Sequence, residues 1–215
     1  MAGVFITFEG IEGSGKSTQI ALLRDHLVRL GRTVVLTREP GGTPIGDQIR
    51  KVLLDPANKA MDPSAELLLY AASRSQHLHE VIIPALKKGA MVLCDRFSDA
   101  TLAYQGYGRG LSIAMIRDLD RIVTAGLRPR LTVLLDIDAK TGVGRARGRN
   151  SSQNLHAEAR FENEAIEFHS RVRDGYLALA RAEPARFRLV AAGGTPEAIH
   201  GELKKVVDEL LAKDR

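Results

Sequence analysis

The 215 residues are 44% hydrophobic and 27% charged, the mix of an ordinary globular protein with one sizeable core, and no apolar stretch approaches the length of a membrane-spanning helix. The single cysteine, Cys94, excludes an internal disulfide framework, and the absence of tryptophan, with a short aromatic-free basic stretch "GRARGRN" at 144–150, argues against a stacking surface for single-stranded nucleic acid. The formal net charge of +5 favours anionic partners, and composition leaves open which.

The chain begins "MAGVFITFEG", with no basic region ahead of an apolar run, so a cytoplasmic location is expected, with a single domain over 1–215. "VFITF" from Val4 reads as a buried strand. It runs into "FEGIEGSGKST", two glycines bracketing four residues and then Lys-Ser, the pattern of a phosphate-binding loop. Gly10, Gly13 and Gly15 let the backbone turn tightly so that successive N–H groups point at phosphate oxygens, with Ile11, Glu12 and Ser14 between them. Lys16 adds a charge near the β- and γ-phosphates, and Ser17, with Thr18 beside it, offers a hydroxyl to Mg²⁺. Ile20, Leu23, Leu27 and Leu30 then form one helix face, stopped by Gly31.

A second strand, "TVVLT" from Thr33, leads to "TREPGGTPIG", where Arg38 and Glu39 precede a Pro-Gly-Gly turn. On the helix "SAELLLYAASRSQHLHE", Tyr70 and Arg74 are four apart and share a face. His77 and His79 point to different sides of that helix, and a solvated role is expected for them rather than a metal site. The third strand, "AMVLC" from Ala90, buries Cys94 and is followed by Asp95, a carboxylate where a phosphate-loop protein needs one near its metal, and by Arg96, a fork for a phosphate. A fourth strand, "LTVLL" from Leu131, precedes the polar stretch "GRNSSQNLHAEAR", expected to be a mobile loop. Phe161, Ala165, Phe168, Val172, Tyr176 and Leu179 make a helical stripe, "FRLVA" from Phe187 a fifth strand, and Ile199, Leu203, Val206 and Leu210 a last stripe. Apolar strands alternating with helices predict a doubly wound α/β domain, a five-stranded parallel sheet with helices on both faces and ligands at the carboxyl ends of its strands.

In this order, "FEGIEGSGKST", "TREPGGT", "LLLYAASRSQH", "CDRFSDATLAYQG" and "EARFE" closely resemble bacterial thymidylate kinases over nearly the whole chain. The resemblance implies a P-loop NTPase fold with a mobile lid at approximately 147–161, ATP as phosphoryl donor at residues 10–18, Mg²⁺, dTMP as acceptor and a homodimer. It implies base stacking for Tyr70, where phenylalanine is usual, and a hydrogen bond from Arg74 to a thymine carbonyl. Thr101, Tyr104 and Gln105 fall in the acceptor site, Arg50 and Arg96 match phosphate-binding arginines, and Glu12 lies near the 3′-hydroxyl of the sugar. Glu39 matches the carboxylate beside acceptor and metal, so Ser17, Asp95 and Glu39 are the expected metal set. No residue among Ile11, Glu12, Gly13 and Ser14 is basic, so the last cation is expected from the lid: Arg160, with Arg147 and Arg149 as reserves. The catalytic set is then Lys16, Arg96, Arg160 and Glu39. Alternatives are another nucleoside monophosphate or deoxynucleoside kinase, or a nucleotide-dependent switch. The chain has no basic recognition helix or guanine-specific "NKxD" for a switch.

Overall fold

Five parallel strands, β1 (Val4–Glu9), β2 (Val34–Arg38), β3 (Met91–Asp95), β4 (Leu131–Asp136) and β5 (Phe187–Ala191), form one sheet in the order β2-β3-β1-β4-β5. The computed structural model describes residues 3–153 and 159–213, with the side chains of 149–153 and 213 left out. Each strand expected from the sequence is present, its limits within one residue of the apolar run. The central strands read as nearly continuous apolar runs because both of their faces are covered, and the two threonines among them, Thr7 and Thr132, pair their hydroxyls at 3.0 Å. Around β1 and β3, Phe5, Val92 and Cys94 pack on one side with Leu78, Ile82 and Phe97, while Ile6, Phe8, Met91 and Leu93 enter the larger core on the other. Cys94 is fully buried, as expected, and burial pushes its thiol well up.

Helices α1 (Lys16–Arg29), α2 (Pro44–Leu54), α3 (Pro63–His77), α4 (Ile83–Lys87), α5 (Ser98–Thr101), α6 (Ile113–Thr124), α7 (Ala139–Gln153), α8 (Ile166–Ala182) and α9 (Pro196–Lys213) complete the described fold. Two π-helical segments interrupt it, Leu78–Ile82 and Leu102–Gly108. Helix α1 buries Ile20, Leu23 and Leu27 as its periodicity predicts, but Leu30 is the helix cap and 53% exposed, because the chain turns away before the next core position. The last stripe also shifts: Ile199 and Leu203 continue through Val207 and Leu211, keeping a four-residue step where the sequence predicts Val206 and Leu210. Among the described residues, no helix is long and apolar enough to cross a membrane. Residues 154–158 of the expected lid lie outside the described residues.

The register brings the site together. Phe8 of β1 stands beside Asp95 of β3, and Asp95 beside Arg38 of β2, so the segments after these three strands open side by side.

Candidate active site

A cavity of about 530 Å³ lies at the carboxyl ends of β1, β2 and β3, with the phosphate loop on one side and α3 on the other. The loop departs β1 through glycines at positive φ, and a side chain at Gly13 would sit 2.0 Å from the carbonyl oxygen of Gly142 on α7. Glycine is required there both for the left-handed backbone and for this close approach. Lys16, at the start of α1, is buried, and its Nζ donates to the carbonyls of Gly10 and Ile11, at 3.0 Å each. Burial, and next the guanidinium of Arg96, lowers its ammonium to about 8 against the pull of Asp95, Glu12 and Glu9. The ammonium thus stands among carbonyls, poised for oxygen acceptors.

Ser17 Oγ donates to Asp95 Oδ2 at 3.3 Å, which joins the loop to the end of β3. One hydroxyl and one carboxylate suit a hard cation that keeps its waters and takes its remaining ligands from phosphate. No cluster of three or more His, Cys, Asp or Glu able to hold a metal occurs among the described residues. Glu39, expected in the same set, is otherwise engaged: its Oε2 accepts from Arg74 Nε at 2.7 Å, and its Oε1 lies 3.0 Å from His77 Nδ1.

Arg96 takes a left-handed backbone with φ of 71°, uncommon for a side chain of this size, which aims its guanidinium back over the loop. Its Nη2 donates to Glu12 Oε1 at 3.0 Å and its Nη1 to the Tyr176 hydroxyl at 3.1 Å, and the guanidinium lies 4.7 Å from the Tyr104 ring centre. The Tyr104 hydroxyl donates to the same Glu12 oxygen at 2.6 Å, and His169 Nδ1 is 3.2 Å from the other. Burial alone would raise the Glu12 carboxyl, but Arg96 and His169 together hold it well below the usual carboxylate range. Behind this cluster, Glu9 is fully buried and accepts from Phe97 N at 2.8 Å and the Tyr176 hydroxyl at 2.7 Å. Burial and then Asp99 raise its carboxyl to about 8.

On α3, Glu66, Tyr70 and Arg74 succeed one another at four-residue steps on one face. Tyr70 lines the cavity, its phenol pushed up by burial and by Glu66. Arg74 also lines it, donating to Thr101 Oγ1 at 2.9 Å and lying 3.5 Å from Asp120. Thr101, Tyr104 and Gln105 complete this wall, and Arg50 closes it from α2, its Nη1 on the Pro40 carbonyl at 3.0 Å. Thus every residue expected in the acceptor site lines one cavity with Lys16 and Ser17.

Two further expectations differ. His77 is not solvated: it is fully buried between Glu39 and Thr37, whose hydroxyl lies 2.5 Å from its Nε2, whereas His79 is exposed. The fourth residue beyond Ser73 on the same face, it turns inward with the helix. The structure also does not bring Arg160 to the loop. Its Nε donates to the Leu53 carbonyl and its Nη2 to Glu66 Oε2, both at 2.5 Å, and it is absent from the cavity wall. Arg147 donates to the Glu162 carbonyl at 2.8 and 3.0 Å, and the side chain of Arg149 lies outside the described residues.

Known proteins share this architecture. A family model described as thymidylate kinase matches residues 8–203. The chain belongs to the thymidylate kinase family. A thymidylate kinase of Trichlorobacter lovleyi is 57% identical over 97% of this chain and 99% of its own, and one of Geotalea daltonii is 59% identical over 90% of each. The crystal structure of thymidylate kinase from Ehrlichia chaffeensis superposes with a TM-score of 0.78 at 34% identity, covering 96% of this chain and all of its own. The five-stranded sheet and its loop are therefore the P-loop NTPase fold of this family.

Reading the sequence missed Glu9, Glu66 and His169, each fully buried and each bonded or paired to a cavity-wall residue. Glu66 had a signal, its four-residue step before Tyr70. Glu9 and His169 had none, because their partners stand far off in sequence.

Proposed function

We propose that this thymidylate kinase family member transfers the γ-phosphoryl group of ATP to dTMP, giving dTDP and ADP, in the synthesis of dTTP. The observation that carries the reading is a single cavity walled by the phosphate loop at Lys16 and by Tyr70, Arg74 and Gln105. A polyphosphate and a planar base thus have places on either side of one transfer point.

The residues divide the work. Loop N–H groups and Lys16 hold the donor phosphates; Arg96 and Arg50 hold the acceptor phosphate. Tyr70 stacks on the base, Arg74 donates to a thymine carbonyl, and Thr101, Tyr104 and Gln105 bound the base and sugar. Glu12, kept ionised beside Arg96, accepts the 3′-hydroxyl. Glu39 acts on the acceptor side by fixing Arg74, since both of its oxygens are already engaged. Ser17 and Asp95 would hold Mg²⁺, which would supply positive charge against the donor phosphates.

No general base is required, because the attacking oxygen of the dTMP phosphate is ionised near neutral pH. The obstacle is repulsion between two polyanions, met by cations positioned in advance and by in-line geometry. The lid supplies the last cation. Arg147 would give up its bonds to the Glu162 carbonyl, whereas Arg160 would have to leave a buried carboxylate, so Arg147 is favoured.

The homodimer is assigned to α2, α3 and α6, which pack in sequence and expose Ile45, Val52, Leu68, Met115 and Ile122. The location is the cytoplasm. The test is ADP release from ATP and Mg²⁺ with each nucleoside and nucleoside monophosphate in turn. Turnover should require dTMP above all; equal turnover with a nucleoside, or ATP hydrolysis indifferent to any acceptor, would sink the assignment.

A further inference from the structure

Glu66 exposes none of its surface and does not line the cavity, yet it gathers donors from three side chains, one of which, Gln105, belongs to the cavity wall. Its Oε1 accepts from Gln105 Nε2 at 2.8 Å and from Arg109 Nε at 3.3 Å. Its Oε2 accepts from Arg160 Nη2 at 2.5 Å and Arg109 Nη2 at 3.3 Å. A carboxylate paired with two guanidinium groups offers acceptors only. The neighbouring amide of Gln105 therefore has one satisfactory orientation, with its NH₂ group toward Glu66, because the reverse would set two acceptor oxygens against each other. Gln105 is itself a cavity residue, so the atom that remains for a ligand is its carbonyl Oε1.

We propose, resting on the reading of the site given above, that Glu66 is a specificity-determining positioning residue. By fixing the Gln105 amide with its carbonyl oxygen turned to the cavity, it makes that side chain an acceptor for a ring N–H. Thymine and uracil carry N3–H. Cytosine has a bare N3 at that place, and two acceptors would then face each other in a partly dehydrated site. Discrimination built on such a hydrogen bond is steep, because the mismatched partner leaves both groups unpaired. Arg109 and Arg160 serve the same arrangement, since they hold the carboxylate where the amide meets it. Arg160 is in turn fixed by the Leu53 carbonyl at the end of α2. The selectivity of the base edge is thus set one layer behind it.

The experiment compares kcat/KM for dTMP, dUMP and dCMP in the full chain with ATP and Mg²⁺. Glu66→Gln replaces an acceptor-only group by one that can donate, so the Gln105 amide is free to turn over. The ratio of kcat/KM for dTMP to that for dCMP should fall at least about tenfold, with dUMP behaving as dTMP does. Glu66→Asp keeps the acceptors on a shorter arm, so it should lower rates while holding the ratio within about threefold of the wild type. Gln105→Met leaves Glu66 its two arginines and keeps the experiment informative should Glu66→Gln fail to fold; it too should compress the ratio. An unchanged ratio in folded Glu66→Gln or in Gln105→Met, or equal compression in Glu66→Asp, would overturn the proposal. A wild type that favours dTMP strongly while the variants keep that preference removes this inference alone. A wild type without dTMP turnover removes the functional reading itself.

Discussion

Arg74 Nε and Glu39 Oε2 are 2.7 Å apart, and each of these side chains exposes only 3% of its surface. Such a buried pair is expensive to break, since the partner left behind is a desolvated charge, at about 3–5 kcal/mol. Arg74→Ala should therefore destabilise the fold by roughly that amount in denaturant unfolding. It should also lower kcat/KM for dTMP far more than for dCMP, because cytosine presents an amino donor where thymine presents an acceptor carbonyl. An unaltered ratio would remove Arg74 from the base edge and leave it a purely structural partner of Glu39.

Replacing Lys16 with Ala should lower kcat by about 10²–10³. The fold should survive, since only two loop carbonyls and, more weakly, the Ser14 hydroxyl lose a donor, at about 1–3 kcal/mol. The pH dependence comes from the ammonium lowered to about 8. The protonated form is the active one, so kcat/KM for ATP should hold below that value and decline as pH rises through it. A profile that is level well into the alkaline range would show that Lys16 keeps its proton and that another group limits the rate.

Glu9 makes a separate prediction about stability. Its carboxyl goes from 4.5 in the unfolded chain to about 8 in the fold, so over this window the folded protein retains a proton that the unfolded chain has released. Its contribution is complete below the unfolded value and is lost as pH rises through the folded one. Glu9→Gln, which mimics the protonated acid, should flatten the decline in unfolding free energy between those pH values. Parallel pH curves for wild type and variant would contradict the assigned state.

For Arg160 two outcomes are separable. If it serves as an anchor of Glu66 and the Leu53 carbonyl, Arg160→Ala should cost about 3–5 kcal/mol of stability and chiefly raise KM for dTMP. If it reaches the transferring phosphoryl group, kcat should collapse while the melting temperature stays put. The first result is expected, with Arg147→Ala giving the kcat effect instead.

Tyr70→Phe should change dTMP kinetics by less than about twofold, since the stacking ring survives. Tyr70→Ala should weaken every pyrimidine acceptor alike, by about 1–3 kcal/mol. Selective loss of one base in titrations with dTMP, dUMP and dCMP would mean the hydroxyl, rather than the ring, does the recognising.

The strands and the phosphate loop are legible in the sequence because they depend on local pattern: nearly continuous apolar runs at Val4, Ala90 and Leu131, and glycines placed where the backbone must turn. The acceptor residues Tyr70, Arg74, Thr101 and Gln105 come from motif resemblance, and they do converge on one cavity. Polar pairing across elements is not legible. His77 reads as solvated because helix periodicity counts apolar residues, and a histidine buried against Glu39 and Thr37 has no such mark. Glu9 meets Tyr176 and Phe97, and Glu12 meets His169, over separations no sequence window spans. Arg160 reads by its motif as a lid cation, and only the fold reveals Glu66 beneath it.

The π-helical segment Leu102–Gly108 carries Tyr104 and Gln105 and delivers Arg109 to Glu66, with the Arg109 N–H bonded five residues back to the Tyr104 carbonyl. Such a turn holds one residue more than an α-helical turn. Deleting Leu102 or Ala103 would set Tyr104 and Gln105 one position back along the helix and turn both by about 100° relative to α5. Gln105 would leave Glu66. This stretch should therefore tolerate changes of side chain at its exposed Tyr107 far better than any change of length, while the surface turn at Ala125–Gly126 can take up insertions. In a lineage of such enzymes, length variation belongs at that turn and leaves the widened helix alone.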